Sequence, residues 1–250
     1  MLVQYSVERG IARIALDSPR NRNALSAALV SSLNEAFSTA SADPDVRAVE
    51  LTHTGPTFCA GADLTEAVDG GMASGMARLT ALMRGIVALP KPVVGSIDGH
   101  VRAGGLGLVG ACDIVLAGPA STFAFTEVRL GLAPAMISLT TLPRLDPRAA
   151  SRYYLTGSVF DAAEAARIGL ITEAVADIDH ATLSVLDALR ACSPQGLRET
   201  KTLLARDILD GFDAHADPLA ALSARLFASP EAAEGMTAFL AKRKPTWATG

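Results

Sequence analysis

The sequence predicts an α/β fold with crossover connections, followed by an all-helical C-terminal part. Short apolar strand patterns alternate with helical patterns over most of the chain, and such alternation implies crossover connections between strands. From Pro194 onward only helical periodicity remains. We therefore divide the chain into an α/β core, residues 1–193, and a C-terminal helical region, residues 194–250.

The elements of the first half are defined by alternation and turn residues. The segment VQYSVERGIARIALD alternates around Arg9-Gly10 and predicts a β-hairpin. A helix is predicted from Ser26, a residue type suited to cap it. A strand follows at residues 46–55, and then a loop, PTFCAGADL, and a helix that extends to Leu89.

The second half begins with another short apolar strand, KPVVGSIDG, at residues 91–99. The glycine-rich segment RAGGLGLVGAC then opens a helix, and DIVLAG at residues 113–118 is a third strand. At the C-terminus, SPQGLRETKTLLARDIL and PLAALSARLFASPEAAEGMTAFLAKRK predict two or three amphipathic helices.

Composition excludes several classes of function. The 250 residues are 50% hydrophobic and 19% charged with a net charge of −4, which argues against a nucleic-acid binder and against disorder. Three scattered cysteines without metal-ligand spacing predict a reduced, cytoplasmic protein with no disulfide and no metal site. The N-terminus lacks a signal-peptide pattern. Charges interrupt the most apolar window, residues 93–117, so we expect buried core and no membrane contact.

The segment from Gly105 to Gly110 fits the dinucleotide-binding pattern G-x-G-x-x-G. In that motif the first glycine directly follows a strand, and an acidic residue ends the next strand. Here the preceding strand ends near Asp98, and the next one ends at Gly118 without an acid. The context therefore disfavours a nicotinamide enzyme.

Two glycine-containing loops suggest a different chemistry. CAGADL, residues 59–64, and AGG, residues 103–105, each follow a strand and present backbone N–H groups with little side chain nearby. Two converging donors of this kind form an oxyanion hole, although ordinary tight connections would also use glycine. Glu127 lies in the apolar segment FAFTEVRLG, where burial would raise its pKa and suit it to proton transfer. A structural position at a loop edge is the alternative.

Seven motifs follow one another along the chain: RNRNAL at 20–25, FCAGADL at 58–64, KPVV at 91–94, G…GG…CDI at 99–114, TEVRLGL at 126–132, LTG…FDA…A…GLI at 155–171 and EGMTAF…KR at 234–243. Together they resemble the crotonase family, also called the enoyl-CoA hydratase/isomerase family. The resemblance implies a spiral of ββα units whose C-terminal helices mediate oligomerisation as a homotrimer or homohexamer. It also implies an acyl-CoA thioester substrate, in which coenzyme A is part of the substrate and no separate cofactor is needed.

Residue roles follow from the same resemblance. The N–H groups of Ala62 and Gly104 would hold the thioester oxygen, and Glu127 would move the proton. Phe239 and Lys242 match residues that reach the coenzyme A of a neighbouring subunit. The remaining predicted substrate-binding residues, of which the first four lie in or near the stretches that meet the nucleotide, are Asn21, Arg22, Ala24, Ala60, Asp63, Leu64, Gly105 and Gly107.

One departure from the family pattern affects the choice of reaction. Hydratases of the family typically carry a second Glu three residues after the oxyanion-hole glycine, and Gly107 stands there. A single carboxylate suits a Δ3,Δ2-enoyl-CoA isomerase. The stretch FTEVRLGLAPAMIS, however, resembles members that act on branched or terpenoid-derived enoyl-CoAs. We expect an enoyl-CoA hydratase, with the isomerase and a weakly catalytic acyl-CoA binding protein as alternatives.

Other residues carry weaker expectations. The further polar candidates near the site are His100, Arg102, Glu66, Asp69 and Ser138. Residues of the pocket or the core are Val68, Met72, Met76 and Leu79. We expect His53 and Cys59 to serve packing, and His180 and His215 to lie on the surface.

Overall fold

The computed structural model describes residues 2–67 and 72–248. Its strands are β1 (Val3–Glu8), β2 (Ile11–Leu16), β3 (Ala48–His53), β4 (Thr57–Cys59), β5 (Val93–Ile97), β6 (His100–Arg102), β7 (Ile114–Ala117), β8 (Thr122–Ala124), β9 (Phe160–Asp161) and β10 (Glu173–Ala174). Its α-helices are α1 (Ala27–Ala42), α2 (Leu64–Ala67), α3 (Met72–Ala88), α4 (Gly104–Ala111), α5 (Ser138–Thr141), α6 (Pro147–Thr156), α7 (Ala162–Arg167), α8 (Ile178–Arg190), α9 (Pro194–Phe227) and α10 (Pro230–Leu240). Two 3-10 helices span Pro19–Asn21 and Glu127–Leu130.

The strands form two sheets. The larger has the order β1-β2-β3-β5-β7-β10, and the smaller has the order β4-β6-β8-β9. Within the larger sheet only the β1–β2 pair is antiparallel, and its turn places Arg9 and Gly10 at φ +49° and +79°. Two left-handed residues match the right-handed twist of the hairpin strands. The predicted hairpin and the α/β class with crossover connections are confirmed.

Helix α1 illustrates how the sequence specifies the core. The Ser26 hydroxyl accepts a hydrogen bond from the Leu29 N–H at 3.2 Å, which caps the helix as predicted. Leu29, Leu33 and Phe37 recur at helical spacing and are buried in the main hydrophobic cluster. Each fully buried side chain of this kind stabilises the fold by roughly 1.5–3 kcal/mol.

The structure corrects two of the local predictions. The segment predicted as a loop after β3 contains β4, which pairs with β6. The described part of the C-terminal region contains two helices, in agreement with the two or three expected, but the first of them, α9, is a continuous 34-residue helix that runs through Pro218, where the second predicted segment begins. Only α10 is separate, because Ser229 caps its N-terminus through a hydrogen bond from Ala232 N–H at 3.1 Å.

The three glycines of the G-x-G-x-x-G segment lie inside α4, and the helix is buried along its whole length. A Cβ added at Gly105 would come within 2.8 Å of Cys59 Cβ, and one at Gly110 within 2.7 Å of Thr140 O. These glycines therefore allow close packing of α4 against β4 and α5. They do not form the strand-to-helix turn of a dinucleotide site, which agrees with the argument from context.

Several predicted absences can be compared with the described residues. No helix there combines the length and the apolar composition that a membrane crossing requires. The described part of the chain holds no cluster of three or more His, Cys, Asp or Glu side chains that could bind a metal. Cys59, Cys112 and Cys192 are free thiols, and the first two are buried.

Candidate active site

The first wall of the site is the loop after β4. Gly61 adopts φ +93°, a conformation that disfavours any side chain, and its carbonyl accepts a hydrogen bond from the Leu25 N–H at 2.8 Å. The Ala60 N–H donates to the Arg22 carbonyl at 3.0 Å. These two bonds fix the loop to the N-terminal segment and present the Ala62 amide at the strand end.

The second wall is the start of α4. Ala103 precedes the helix with φ +45° and ψ −120°, an uncommon conformation for a residue with a side chain, and such strain concentrates at functional sites. A Cβ built on Gly104 would lie 3.9 Å from the Ala62 nitrogen. The two amides predicted as the oxyanion hole are therefore neighbours. The positive end of the α4 dipole points to the same place.

Glu127 opens the 3-10 helix Glu127–Leu130. Its Oε2 atom is buried and has no hydrogen-bond partner among the described residues. Burial raises the pKa of the Glu127 carboxyl to about 7, because the charged form loses its solvation. A carboxyl with this pKa can both accept and donate a proton near neutral pH.

The 3-10 helix is supported from behind by α10. A Cβ added at Gly131 would come within 2.7 Å of the Glu231 backbone, and one at Gly235 within 2.5 Å of the Leu130 carbonyl oxygen. The two segments thus pack backbone against backbone. Gly131, at φ +74°, also donates its N–H to the Glu127 carbonyl and ends the 3-10 helix.

These elements surround a cavity of about 610 Å³. Its wall contains both predicted oxyanion-hole residues and Glu127. The predicted substrate-binding residues in the wall are Asn21, Arg22, Ala24, Ala60, Asp63, Leu64 and Phe239. Gly105 and Gly107 lie behind it, buried in α4, and Lys242 lies outside it.

The position of the absent second carboxylate is filled with apolar atoms. A Cβ added at Gly107 would lie 2.5 Å from Met83 Sδ and 2.7 Å from Ile137 Cγ2. Met83 is fully buried and Ile137 is 3% exposed. The space beside Gly107 therefore has no room for a carboxylate side chain. Among the described residues, Glu127 is the one carboxylate with a buried oxygen that lacks a hydrogen-bond partner.

Asn23 organises the N-terminal loop, and sequence reasoning did not single it out. It is fully buried at φ +53°, and its Oδ1 accepts a hydrogen bond from the Ser18 N–H at 2.7 Å. Its Nδ2 donates to the carbonyls of Thr57 and Thr54 at 2.8 and 3.2 Å. Asparagine adopts the left-handed backbone region more readily than most residues, so the residue type at position 23 was the one sequence feature that could have indicated this role.

Some of the weaker candidates line the cavity, and others are engaged in hydrogen bonds with nearby residues. Arg102 lines the cavity, and its guanidinium donates to the Thr122 carbonyl at 2.7 Å. Glu66 accepts a hydrogen bond from Ala27 N–H, Ser138 donates to the Ala135 carbonyl, and His100 pairs with Thr122. Met76 and Leu79 line the cavity. Val68 and Asp69 lie outside the described residues, as does the Met72 side chain.

The histidine and cysteine expectations agree with the structure. His53 packs edge-on against Phe58, and its Nε2 accepts the Asp98 N–H at 3.1 Å, while burial lowers its pKa. Burial raises the pKa of the Cys59 thiol to about 12, so it stays protonated. His180 and His215 are exposed.

Comparison with known proteins shows the family of the chain. The family model described as enoyl-CoA hydratase/isomerase matches residues 6–250. The chain belongs to the enoyl-CoA hydratase/isomerase family. An enoyl-CoA hydratase from Mycobacterium avium, known from its crystal structure, is 55% identical, with a TM-score of 0.93 and 98% of each chain covered.

Two further members of the family are similar over most of their length. Enoyl-CoA hydratase EchA19 from Mycobacterium tuberculosis is 32% identical, covering 94% of this chain and 91% of its own. Mevalonyl-coenzyme A hydratase sidH from Aspergillus fumigatus is 30% identical, covering 95% of this chain and 91% of its own. The crotonase fold predicted from the motifs is therefore confirmed.

In this member of the enoyl-CoA hydratase/isomerase family, the C-terminal helix α10 also contributes to the cavity of its own chain. A contact of Phe239 and Lys242 with the coenzyme A of a neighbouring subunit stays a prediction. The structure places Phe239 and Leu240 in the cavity wall of their own chain, because α10 folds back onto the segment that carries Glu127. The sequence could not reveal this, since a helix pattern does not specify which chain the helix covers.

Proposed function

We propose that this protein is an enoyl-CoA hydratase that adds water to a 2-enoyl-CoA with one acid/base residue, Glu127. The observation that carries the proposal is the buried, unpartnered carboxyl oxygen of Glu127 in a cavity that also contains the paired amides of Ala62 and Gly104. The 55% identity to an enoyl-CoA hydratase supports the same reaction.

The proposed reaction balances with one carboxylate. Ionised Glu127 takes a proton from water as the hydroxyl oxygen bonds to C3 of the substrate. The C2–C3 π electrons move toward the thioester, and the amides of Ala62 and Gly104 stabilise the negative charge on its oxygen. Protonated Glu127 then delivers its proton to C2, which restores the carboxylate. The neighbouring Thr126 hydroxyl, also in the cavity wall, is available to hold the water.

Two arginines of the cavity wall can bind the phosphate groups of the coenzyme A part of the substrate. Arg20 and Arg22 come from the loop that Asn23 anchors, and guanidinium groups pair well with phosphate. We place the coenzyme A nucleotide at this loop and the acyl chain along the apolar wall of residues 130–137. The similarity to sidH, a mevalonyl-coenzyme A hydratase, supports a branched acyl chain, because a mevalonyl group bears a methyl branch.

A Δ3,Δ2-enoyl-CoA isomerase is the second candidate, favoured by the sealed space at Gly107. Isomerisation needs only that Glu127 remove a proton from C2 and return it to C4. A weakly catalytic acyl-CoA binding protein is the third. We retain, as predictions, a homotrimeric or homohexameric assembly, a cytoplasmic location and the lack of a separate cofactor.

Product analysis distinguishes these candidates. Purified protein would be given crotonyl-CoA, a β-methyl-branched 2-enoyl-CoA and a 3-enoyl-CoA in deuterated water, with mass spectrometry of the products. We expect a 3-hydroxyacyl-CoA that carries one deuterium at C2. A shifted double bond without a hydroxyl product would establish the isomerase instead, and binding without either product would favour the third candidate.

The pH dependence of hydration should report the carboxyl of Glu127. The ionised form must accept the proton, and its pKa is about 7. We therefore expect kcat/KM for hydration to rise about tenfold per pH unit below this pKa and to level off above it. Initial rates between pH 5 and 9 would test this. A profile that is flat from pH 5 to 8 would contradict the assignment.

A further inference from the structure

The apolar part of the cavity contains a buried hydroxyl that the proposed reaction does not use. Ser223, on α9, is 5% exposed and forms part of the cavity wall. Phe227, one helical turn further along, lines the same cavity. Leu240 of α10 and Ile137, close to α5, complete the apolar surroundings. The elements that supply Ser223 and its neighbours are separate from the arginine-bearing loop.

The Ser223 hydroxyl makes no hydrogen bond with any other described residue. Such hydroxyls commonly donate to the carbonyl four residues earlier. Thr202, on the same helix, does so toward Arg198 at 3.0 Å, and Ser151 and Thr156 do so on α6. The Ser223 Oγ is also not one of the solvent-inaccessible side-chain atoms that lack a partner among the described residues. A hydroxyl that has no hydrogen bond and lies in the cavity wall is therefore open to the cavity, where an oxygen atom of a ligand can reach it.

We propose that Ser223 binds a hydroxyl or carbonyl group on the acyl chain, which makes oxygen-bearing acyl-CoAs the preferred substrate class. This inference rests on the proposed function, since it assumes that the apolar wall receives the acyl chain. A purely alkyl chain would cover the Ser223 hydroxyl without bonding it. An acyl chain with an oxygen atom at the depth of Ser223 would form a hydrogen bond that satisfies both the Ser223 hydroxyl and the oxygen of the chain.

Binding measurements with unreactive ligands test the inference independently of turnover. Saturated ω-hydroxyacyl-CoAs of six to ten carbons would be compared with alkyl acyl-CoAs of the same length by calorimetry. The proteins would be wild type, Ser223→Ala and the control Thr202→Ala, which removes an exposed hydroxyl on the same helix. At the best-fitting length we expect Ser223→Ala to weaken hydroxyacyl binding roughly tenfold and alkyl binding less than twofold.

The possible outcomes separate the two proposals. Equal weakening of both ligand types, or no weakening of either, would overturn the role of Ser223 while leaving acyl-CoA binding intact. Failure of wild type to bind any acyl-CoA would overturn the proposed function and this inference with it. Thr202→Ala should bind both ligand types as wild type does. If it weakened hydroxyacyl binding as much as Ser223→Ala, the specific role of Ser223 would be overturned.

Discussion

Replacing Glu127 with Gln should reduce kcat/KM for hydration by about a thousandfold, within the range of roughly 10²–10⁴ that positioned acid/base groups contribute. Gln has nearly the same shape but cannot exchange the proton. Stopped assays of 3-hydroxyacyl-CoA formation would measure the loss. Binding of a saturated acyl-CoA should change little, because the two amides and the apolar wall are retained.

The folded protein should tolerate this change. Folding raises the pKa of Glu127, so ionisation costs stability increasingly as the pH rises from the ordinary carboxyl value through about 7. At pH 8 the neutral Gln should therefore melt at the same temperature as wild type or higher. Glu35→Gln, at an exposed position on α1, is the matched control and should keep full activity. A Glu127→Gln enzyme with more than a tenth of wild-type kcat/KM would refute the mechanism.

Restoring the typical second carboxylate through Gly107→Glu should destabilise the protein and should not raise hydration. The new Cβ alone would overlap Met83 Sδ and Ile137 Cγ2, and overpacking of a core costs about 1–3 kcal/mol. Burying the carboxylate adds to that cost. We expect a loss of about 3 kcal/mol or more, equivalent to a fall of roughly 6 °C or more in Tm.

Gly85→Glu provides the matched control on α3. A Cβ at Gly85 meets no atom within 4 Å, so the same substitution should be neutral or slightly stabilising there. Thermal unfolding of both variants at one pH would make the comparison. A Gly107→Glu protein that melts like wild type and hydrates crotonyl-CoA faster would contradict both expectations, because Met83 and Ile137 would then have moved to accommodate the new carboxylate.

The elements that the sequence predicted well are those with long periodic patterns. The hairpin was marked by alternation and Arg9-Gly10, and α1 by Ser26 and its helical spacing. The smaller sheet was missed because its strands have only two or three residues, too few to show a period. The two predicted C-terminal segments left residues 210–217 between them, yet α9 continues through these residues and through Pro218.

For the candidate site, the sequence suggested the polar groups but not the residues that pack around them. Glycine loops at strand ends suggested an oxyanion hole, and the family resemblance assigned it to Ala62 and Gly104. An acid among apolar residues pointed to Glu127. The residues that fill space around them could not be found this way. Met83, Ile137 and Ser223 belong to distant helical or loop segments whose patterns match ordinary core positions. Only the folded chain brings Met83 and Ile137 against Gly107 and places Ser223 in the cavity wall.

The backbone contact between α10 and the segment after Glu127 has a consequence for biosynthesis. Gly235 packs against Leu130, so the segment that carries Glu127 receives its support from a helix that is synthesised well after it. Nascent chains that end before Pro230 contain every predicted catalytic residue and both oxyanion-hole loops. They lack α10, which packs against Leu130 and Gly131, so we expect the segment that carries Glu127 to be fully supported only after α10 has been synthesised.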